Sequence, residues 1–78
     1  MITSPQGYYE QGYKDGQQLY SQSQTYQQSD LRRIVSQNIA RATATQDTAI
    51  PMTMQAHYED GLLAGYKDAG KLAEKRQT

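Results

Sequence analysis

The feature that most constrains this chain is a glycine spacing that occurs twice. Gly12 and Gly16 lie four residues apart in the first half of the chain, and Gly61 and Gly65 do so in the second half. Residues four apart lie on the same side of an α-helix. Because glycine inside a helix costs about 1 kcal/mol relative to alanine, several on one side need a compensating contact. A helix side without Cβ atoms lets a second backbone come close, so we predict that these glycines lie in helix–helix contacts.

The residues around the glycines repeat as well. Tyr-Glu, an amide or acid, and then Gly occupy residues 9–12 and again residues 58–61. Gly-Tyr-Lys-Asp follows at residues 12–15 in the first copy and at residues 65–68 in the second. The second copy is longer by four residues, which is about one helical turn. The repeat indicates two related helices.

Helical spacing extends the glycines of each copy into a longer face that carries tyrosine and small or apolar side chains. The predicted contact residues on these two faces are Tyr9, Gly12, Tyr13, Gly16, Tyr20, Met54, Tyr58, Gly61, Gly65, Ala69 and Leu72. We expect the faces to pack antiparallel, within one chain or between two chains. The alternative is that the glycines are turn residues in a flexible segment.

We predict an all-α fold in one domain spanning residues 1–78, a helical hairpin or three-helix chain, with helices near residues 5–28, 30–45 and 52–76. Ser4-Pro5 is a favoured helix start, and Ser29-Asp30 has the residues of a second start. Pro51 excludes a helix that runs through the final connection. Since no Gly or Pro separates the first two helices, one continuous helix over residues 5–45 is an alternative.

The first 28 residues allow a further alternative, because Gln, Tyr, Gly and Ser dominate them. This composition resembles the Tyr-Gly-Gln-Ser tracts of condensate-forming RNA-binding proteins, and the resemblance implies disorder until a partner binds. The helical spacing of the tyrosines and glycines, and the low proline content, favour a helix instead.

The middle segment has the clearest amphipathic pattern. Its apolar stripe consists of Leu31, Ile34, Val35, Ile39 and Ala42. Asn38 lies within this stripe, and a buried Asn on such a face often determines register or oligomeric state. We therefore add Asn38 to the predicted interface, the alternative being a polar residue tolerated at the edge of the stripe.

The composition predicts a small core. The chain has 78 residues without Cys, Trp or Phe, and its mean hydropathy is −0.93. A chain of this size buries a low fraction of its surface, and no disulfide is available to stabilise it. We therefore expect self-association, or embedding in a larger assembly. The chain lacks a recognisable signal peptide and an apolar run of membrane-spanning length, so we expect a cytoplasmic location or one within a virion or other assembly, and no membrane partner.

The sequence gives little support to catalysis. His57 is the only histidine, and with Glu59 and Asp60 it supplies fewer ligands than a closed metal site requires. A nucleophilic site needs a base and an orienting group around a Ser or Thr, which one histidine does not specify. We predict no catalytic residue, no metal, no cofactor and no enzymatic activity.

Nucleic acid is the second class of partner considered. Arg32, Arg33 and Arg41 lie on the polar side of the middle helix, and tyrosine rings can stack on bases. The formal net charge is zero, and no nucleic-acid-binding motif is present. A solvated basic edge is the simpler interpretation of these arginines.

The glycine repeats at residues 9–16 and 58–66 resemble the Gly-x3-Gly helical repeats of the flagellar and type III export-ATPase regulator family. In that family the repeats pack helix on helix in a dimer, which is what the resemblance implies here; it covers under a third of the chain. Small, polar, Cys-free helical chains also look like accessory or virion proteins of phages and mobile elements. The function predicted is a non-enzymatic interaction or assembly protein, such as a phage structural component or a partner inhibitor, that associates with itself or a larger protein through its Tyr/Gly faces. A nucleic-acid-binding accessory protein is the alternative.

Overall fold

The structure is a computed structural model that describes residues 4–47 and 49–77, with only the backbone at residues 76–77. It contains three α-helices: α1 (Pro5–Gln22), α2 (Gln28–Gln46) and α3 (Met52–Gln77). No strand occurs within these described ranges. The all-α prediction with three helices is confirmed.

Helix α1 begins where its capping residues predict and ends earlier than expected. The Ser4 hydroxyl accepts a hydrogen bond from the Gly7 N–H at 3.1 Å, and Pro5 follows at the first helical position. At the other end Ser23 adopts extended backbone, with φ −156°. The chain is non-helical from there to Gln27. The continuous helix considered above is therefore absent, and the expected end at residue 28 is six residues too late.

A side chain of α3 accounts for this break. The Tyr66 hydroxyl donates to the Ser23 carbonyl oxygen at 3.0 Å and accepts from the Tyr26 N–H at 2.9 Å. Both backbone groups are thus satisfied outside a helix. Because the partner lies about 40 residues away in sequence, no local pattern in the connection reveals it.

Helix α2 starts near the predicted residue and ends in a left-handed turn. The Asp30 carboxylate accepts from the Gln27 N–H at 3.0 Å, so this acid caps the helix start. Asp47 closes α2 with φ 53°, a left-handed conformation that Asp tolerates better than most residues. Pro51 then precedes α3, and its carbonyl accepts from the Gln55 N–H.

The helices run up, down and up, so α1 and α3 are parallel. Gly12 lies against Tyr58 and Leu62, and Gly16, further along α1, lies against Leu62 and Tyr66. The antiparallel packing predicted for these two faces is wrong, because α2 reverses the chain between them. Helix α2 runs antiparallel to α3: Tyr26, just before α2, meets Tyr66, whereas Asn38 meets Tyr58.

The core lies mainly between α2 and α3. Its buried side chains are Tyr8, Leu31, Val35, Ile50, Tyr58 and Leu62. Leu62 is the most completely buried, with 0% exposure. Both α1 and α2 pack on α3, but no Cα atom of α1 lies within 8 Å of a Cα atom of α2. Helix α3 is therefore the central element, and α1 and α2 flank it.

Candidate functional site

The glycines of the two repeats form the contact between α1 and α3. A Cβ atom placed on Gly16 would lie 2.7 Å from the Tyr66 nitrogen, and one on Gly12 would lie 2.9 Å from the Leu62 nitrogen. Cβ atoms at Gly61 and Gly65 would similarly collide with backbone atoms of Tyr9 and Tyr13. All four glycines are buried. The two helices therefore touch backbone to backbone, and the glycine faces are occupied by each other inside one chain.

Two tyrosine–aspartate hydrogen bonds flank this contact. Tyr58 of α3 donates to the Asp15 carboxylate of α1 at 2.6 Å, on the side that faces α2. Tyr13 of α1 donates to the Asp68 carboxylate of α3 at 2.7 Å. Each helix thus supplies one donor to the other, and the pair is held on both sides of the glycines. Bonds to a carboxylate are among the stronger hydrogen bonds in proteins.

Tyr58 also links α2 to the α1–α3 pair. The Asn38 side-chain amide of α2 donates to the Tyr58 hydroxyl at 3.0 Å, while the Gln11 side-chain amide donates to the other Asp15 oxygen at 2.9 Å. Burial, and then the hydrogen bond to Asp15, raise the pKa of Tyr58, although the Asn38 bond lowers it. Asn38 therefore orients one tyrosine within the chain, and this is the contact that its place in the apolar stripe provides.

Tyrosine rings cluster where α1 ends, on the side of α3 that carries Tyr66. The Tyr66 ring packs edge-to-face on Tyr20, with centroids 5.3 Å apart, and lies 6.0 Å from the Tyr26 ring. Such tilted arrangements suit the quadrupoles of aromatic rings. Tyr20 also covers Gly70, where a Cβ atom would meet the ring at 3.4 Å. The ring cluster therefore attaches the α1–α2 connection to α3.

A groove of about 660 Å³ lies between α1 and α2. Apolar side chains from all parts of the fold line it: Tyr8, Leu19, Ile34, Ile39, Ala42, Ile50 and Tyr58. Polar side chains complete the lining: Gln11, Asp15, Gln18, Gln22, Asn38, Arg41, Thr45 and Gln46. The groove exists because both flanking helices pack on α3 and not on each other. An apolar floor with polar edges is the usual character of a binding surface for another protein segment.

Three of the remaining predicted interface residues, Met54, Ala69 and Leu72, lie outside the glycine contact. Met54 packs against the buried core. Ala69 and Leu72 line a shallower depression beside Tyr20, on the side of α1 away from the groove. Leu72 is 49% exposed, and Tyr9, whose backbone contacts Gly61, is 38% exposed. These partly exposed positions at the edge of the α1–α3 pair are the part of the Tyr/Gly faces that remains open to other molecules.

The three arginines do not form one patch. Arg32 lies beside Glu59 of α3, with Nε and Oε1 3.5 Å apart, whereas Arg41 lines the groove on the α1 side. Helical geometry puts Arg32 and Arg41 about 180° apart around α2, with exposed Arg33 between them. The basic side chains are thus directed to different surroundings.

His57 makes a local contact only: its Nδ1 lies 2.7 Å from the Thr53 carbonyl oxygen, one turn earlier. Across residues 4–47 and 49–77, no group of three or more His, Cys, Asp or Glu side chains is arranged to hold a metal ion. Within the same ranges, none of the helices has both the length and the apolar character needed to cross a membrane.

Comparison with known proteins gives no relative for this arrangement. No family model matches the chain, no curated protein matches it, and no solved structure matches it. The contacts themselves are therefore the basis for any functional argument.

Several residues that build the site were not predicted from the sequence, although the repeat contained a signal for them. Asp15 and Asp68 both follow Tyr-Lys within the repeated Gly-Tyr-Lys-Asp segment, and both accept a tyrosine hydrogen bond. The repetition of an acid at the same place in each copy was the available indication. Tyr8 had no such signal, because its burial depends on how the helices pack, whereas Gln11 donates to Asp15 one turn later in the same helix.

Proposed function

We propose that this chain is a non-enzymatic helical interaction protein, and that the groove between α1 and α2 takes one face of a helix from another chain. The observation that carries the proposal is the separation of α1 from α2, which leaves apolar side chains of both helices along one open groove. Helix-in-groove binding uses an apolar stripe spaced i, i+3, i+4 and i+7. Such a role suits a component of a larger particle or an inhibitor of a partner.

The dimensions of the groove support a helical occupant. Its α1 wall extends from Tyr8 to Gln22 and its α2 wall from Ile34 to Gln46. At 1.5 Å per residue these walls are about 21 Å and 18 Å long, enough for roughly four turns of a helix. The floor offers Tyr58 and Ile50 as apolar contacts, while the exposed side-chain amides of Gln18 and Gln22 can bond polar groups of a partner.

The groove is a better candidate for association than the glycine faces. The glycines of α1 already contact the backbone of α3, so a second chain could use those faces only if α1 and α3 separated. Nucleic-acid binding has less support, since the three arginines face different directions and Arg32 has an acidic neighbour.

The test compares two matched substitutions in α2. Ala42 lines the groove, and Ala44, two residues away, is exposed outside it. We expect proteins that co-purify with the immobilised wild-type chain, from cells that produce it, to be retained by Ala44→Glu and lost by Ala42→Glu. Circular dichroism checks that Ala42→Glu keeps its helix content. Partners that bind both variants equally would exclude the groove as the binding surface.

A further inference from the structure

We infer that the occupant of the groove is a second copy of this chain, in a two-fold dimer in which α2 of each copy lies along the groove of the other. The inference rests on the proposed function and identifies the partner. Three observations carry it: the accessible surface of the chain, the charges of the groove walls, and the lengths of those walls.

The accessible surface is larger than that of a typical monomer of this size. The chain exposes 5557 Å², whereas a folded monomer of 8.8 kDa exposes about 4,800 Å². The excess is about 800 Å², which is close to what each partner loses in a standard protein–protein interface. The molecule is also extended, at 46 × 21 × 17 Å. A second copy packed along the groove would cover part of this surface and widen the assembly across its two short dimensions.

The charges of the two walls are complementary. Asp15 is the charged side chain that the α1 wall contributes to the groove. Arg41 is the one that the α2 wall contributes, whereas Arg32 and Arg33 lie outside the groove. In the proposed dimer Arg41 of one copy faces the α1 wall of the other, which carries Asp15. Complementary charge of this kind favours one docking orientation over others.

The geometry suits a two-fold arrangement. An isologous interface requires the same surface to act as both receptor and ligand. Here α2 forms one wall of the groove over 13 residues, and the α1 wall that would receive the partner's α2 covers 15 residues. Ile34 and Ala42 are only partly buried by their own chain. They are therefore available to a second copy, which would complete a four-helix layer.

The experiment measures mass by analytical ultracentrifugation and compares Arg41→Glu with Arg33→Glu. Both arginines are exposed on α2, but only Arg41 lines the groove, so neither change threatens the monomer fold. We expect the wild-type chain and Arg33→Glu to sediment as dimers with similar Kd. Arg41→Glu places an acid against the wall that carries Asp15, and we expect it to raise the Kd at least about 30-fold, because like charges brought opposite each other oppose docking.

A wild-type chain that stays at 8.8 kDa up to millimolar concentration overturns the inference. A dimer that Arg41→Glu and Arg33→Glu weaken equally also overturns it, because the interface then lies elsewhere. The Ala42→Glu experiment tests the groove as a binding surface separately. If the chain is monomeric but Ala42→Glu still abolishes binding of another protein, the proposed function stands and only the identification of the occupant as a second copy is wrong.

Discussion

Substituting Gly16 with alanine tests the backbone contact on which the fold depends. The new Cβ would lie 2.7 Å from the Tyr66 nitrogen and closer still to the Leu62 carbonyl oxygen. An ordinary contact for such an atom begins near 3.4 Å. Because both neighbours are backbone atoms of a helix, neither can rotate away. Helices α1 and α3 must therefore separate by about 1 Å, a gap that removes a quarter to a half of the dispersion energy of each affected atom pair.

The net effect combines two opposing terms. Overpacking of a tight contact typically costs about 1–3 kcal/mol, and here the upper part of that range applies because two backbone atoms are involved. Alanine has a helix propensity better than that of glycine by about 1 kcal/mol, which offsets part of the loss. We expect Gly16→Ala to lower the free energy of unfolding by about 1–2 kcal/mol. In a domain of this size that is a decrease in Tm of about 5–15 °C.

Gly70→Ala is the matched control, since Gly70 is also a glycine within a helix. Its Cβ would meet only the Tyr20 ring, at 3.4 Å, and a side chain can adjust. We expect this variant to gain up to about 1 kcal/mol through helix propensity. Thermal and urea unfolding followed by circular dichroism measure both variants. If Gly16→Ala raises Tm as Gly70→Ala does, the close approach of the two backbones is refuted.

Four further predictions concern the core, the hydrogen bonds and the cap. Leu62→Ala removes the most buried side chain and should cost about 2–5 kcal/mol in urea unfolding, with a smaller loss contradicting the core assignment. Tyr58→Phe removes the donor to Asp15 and should cost about 1–3 kcal/mol, a larger loss than for Tyr13→Phe because Tyr58 is the more buried of the two tyrosines. The pKa of both tyrosines is raised in the folded state, so the stability that their protonated forms contribute should be fully present below about pH 10 and decrease above it. An absorbance titration should show two tyrosines that ionise later than the others. A free energy of unfolding that stays unchanged up to about pH 11 would contradict this. Ser4→Ala should cost about 1 kcal/mol through loss of the α1 cap, measured as a lower urea midpoint, whereas an unchanged midpoint would indicate that the end of the helix frays.

The glycine pattern predicted a contact but not its direction. Helix faces built from glycine can meet in parallel or antiparallel orientation, because neither requires a Cβ. The direction here follows from α2, which returns the chain to the start of α1 before α3 begins. A hairpin of the first and last helices alone would be antiparallel, so the presence of a packed middle helix is what made that prediction wrong.

The groove could not be predicted from the sequence at all. Its apolar lining comes from residues that read as ordinary core positions of amphipathic helices, such as Leu19, Ile34 and Ala42. Whether such side chains close on one another or leave a groove depends on how far α1 and α2 are held apart. That distance is set by the breadth of α3 between them and by the Asn38–Tyr58–Asp15 connection.

The sequence by itself determined the helical class, the positions of the starts and of the Pro51 boundary, and the four glycines at which another backbone comes close. These properties depend on spacing and backbone chemistry within a few residues. Only the tertiary structure decided the end of α1, the parallel direction, the tyrosine–aspartate pairs and the open groove. Each of these depends on contacts between residues about 20 to 55 positions apart, and a local pattern carries no information about which distant partner a side chain meets.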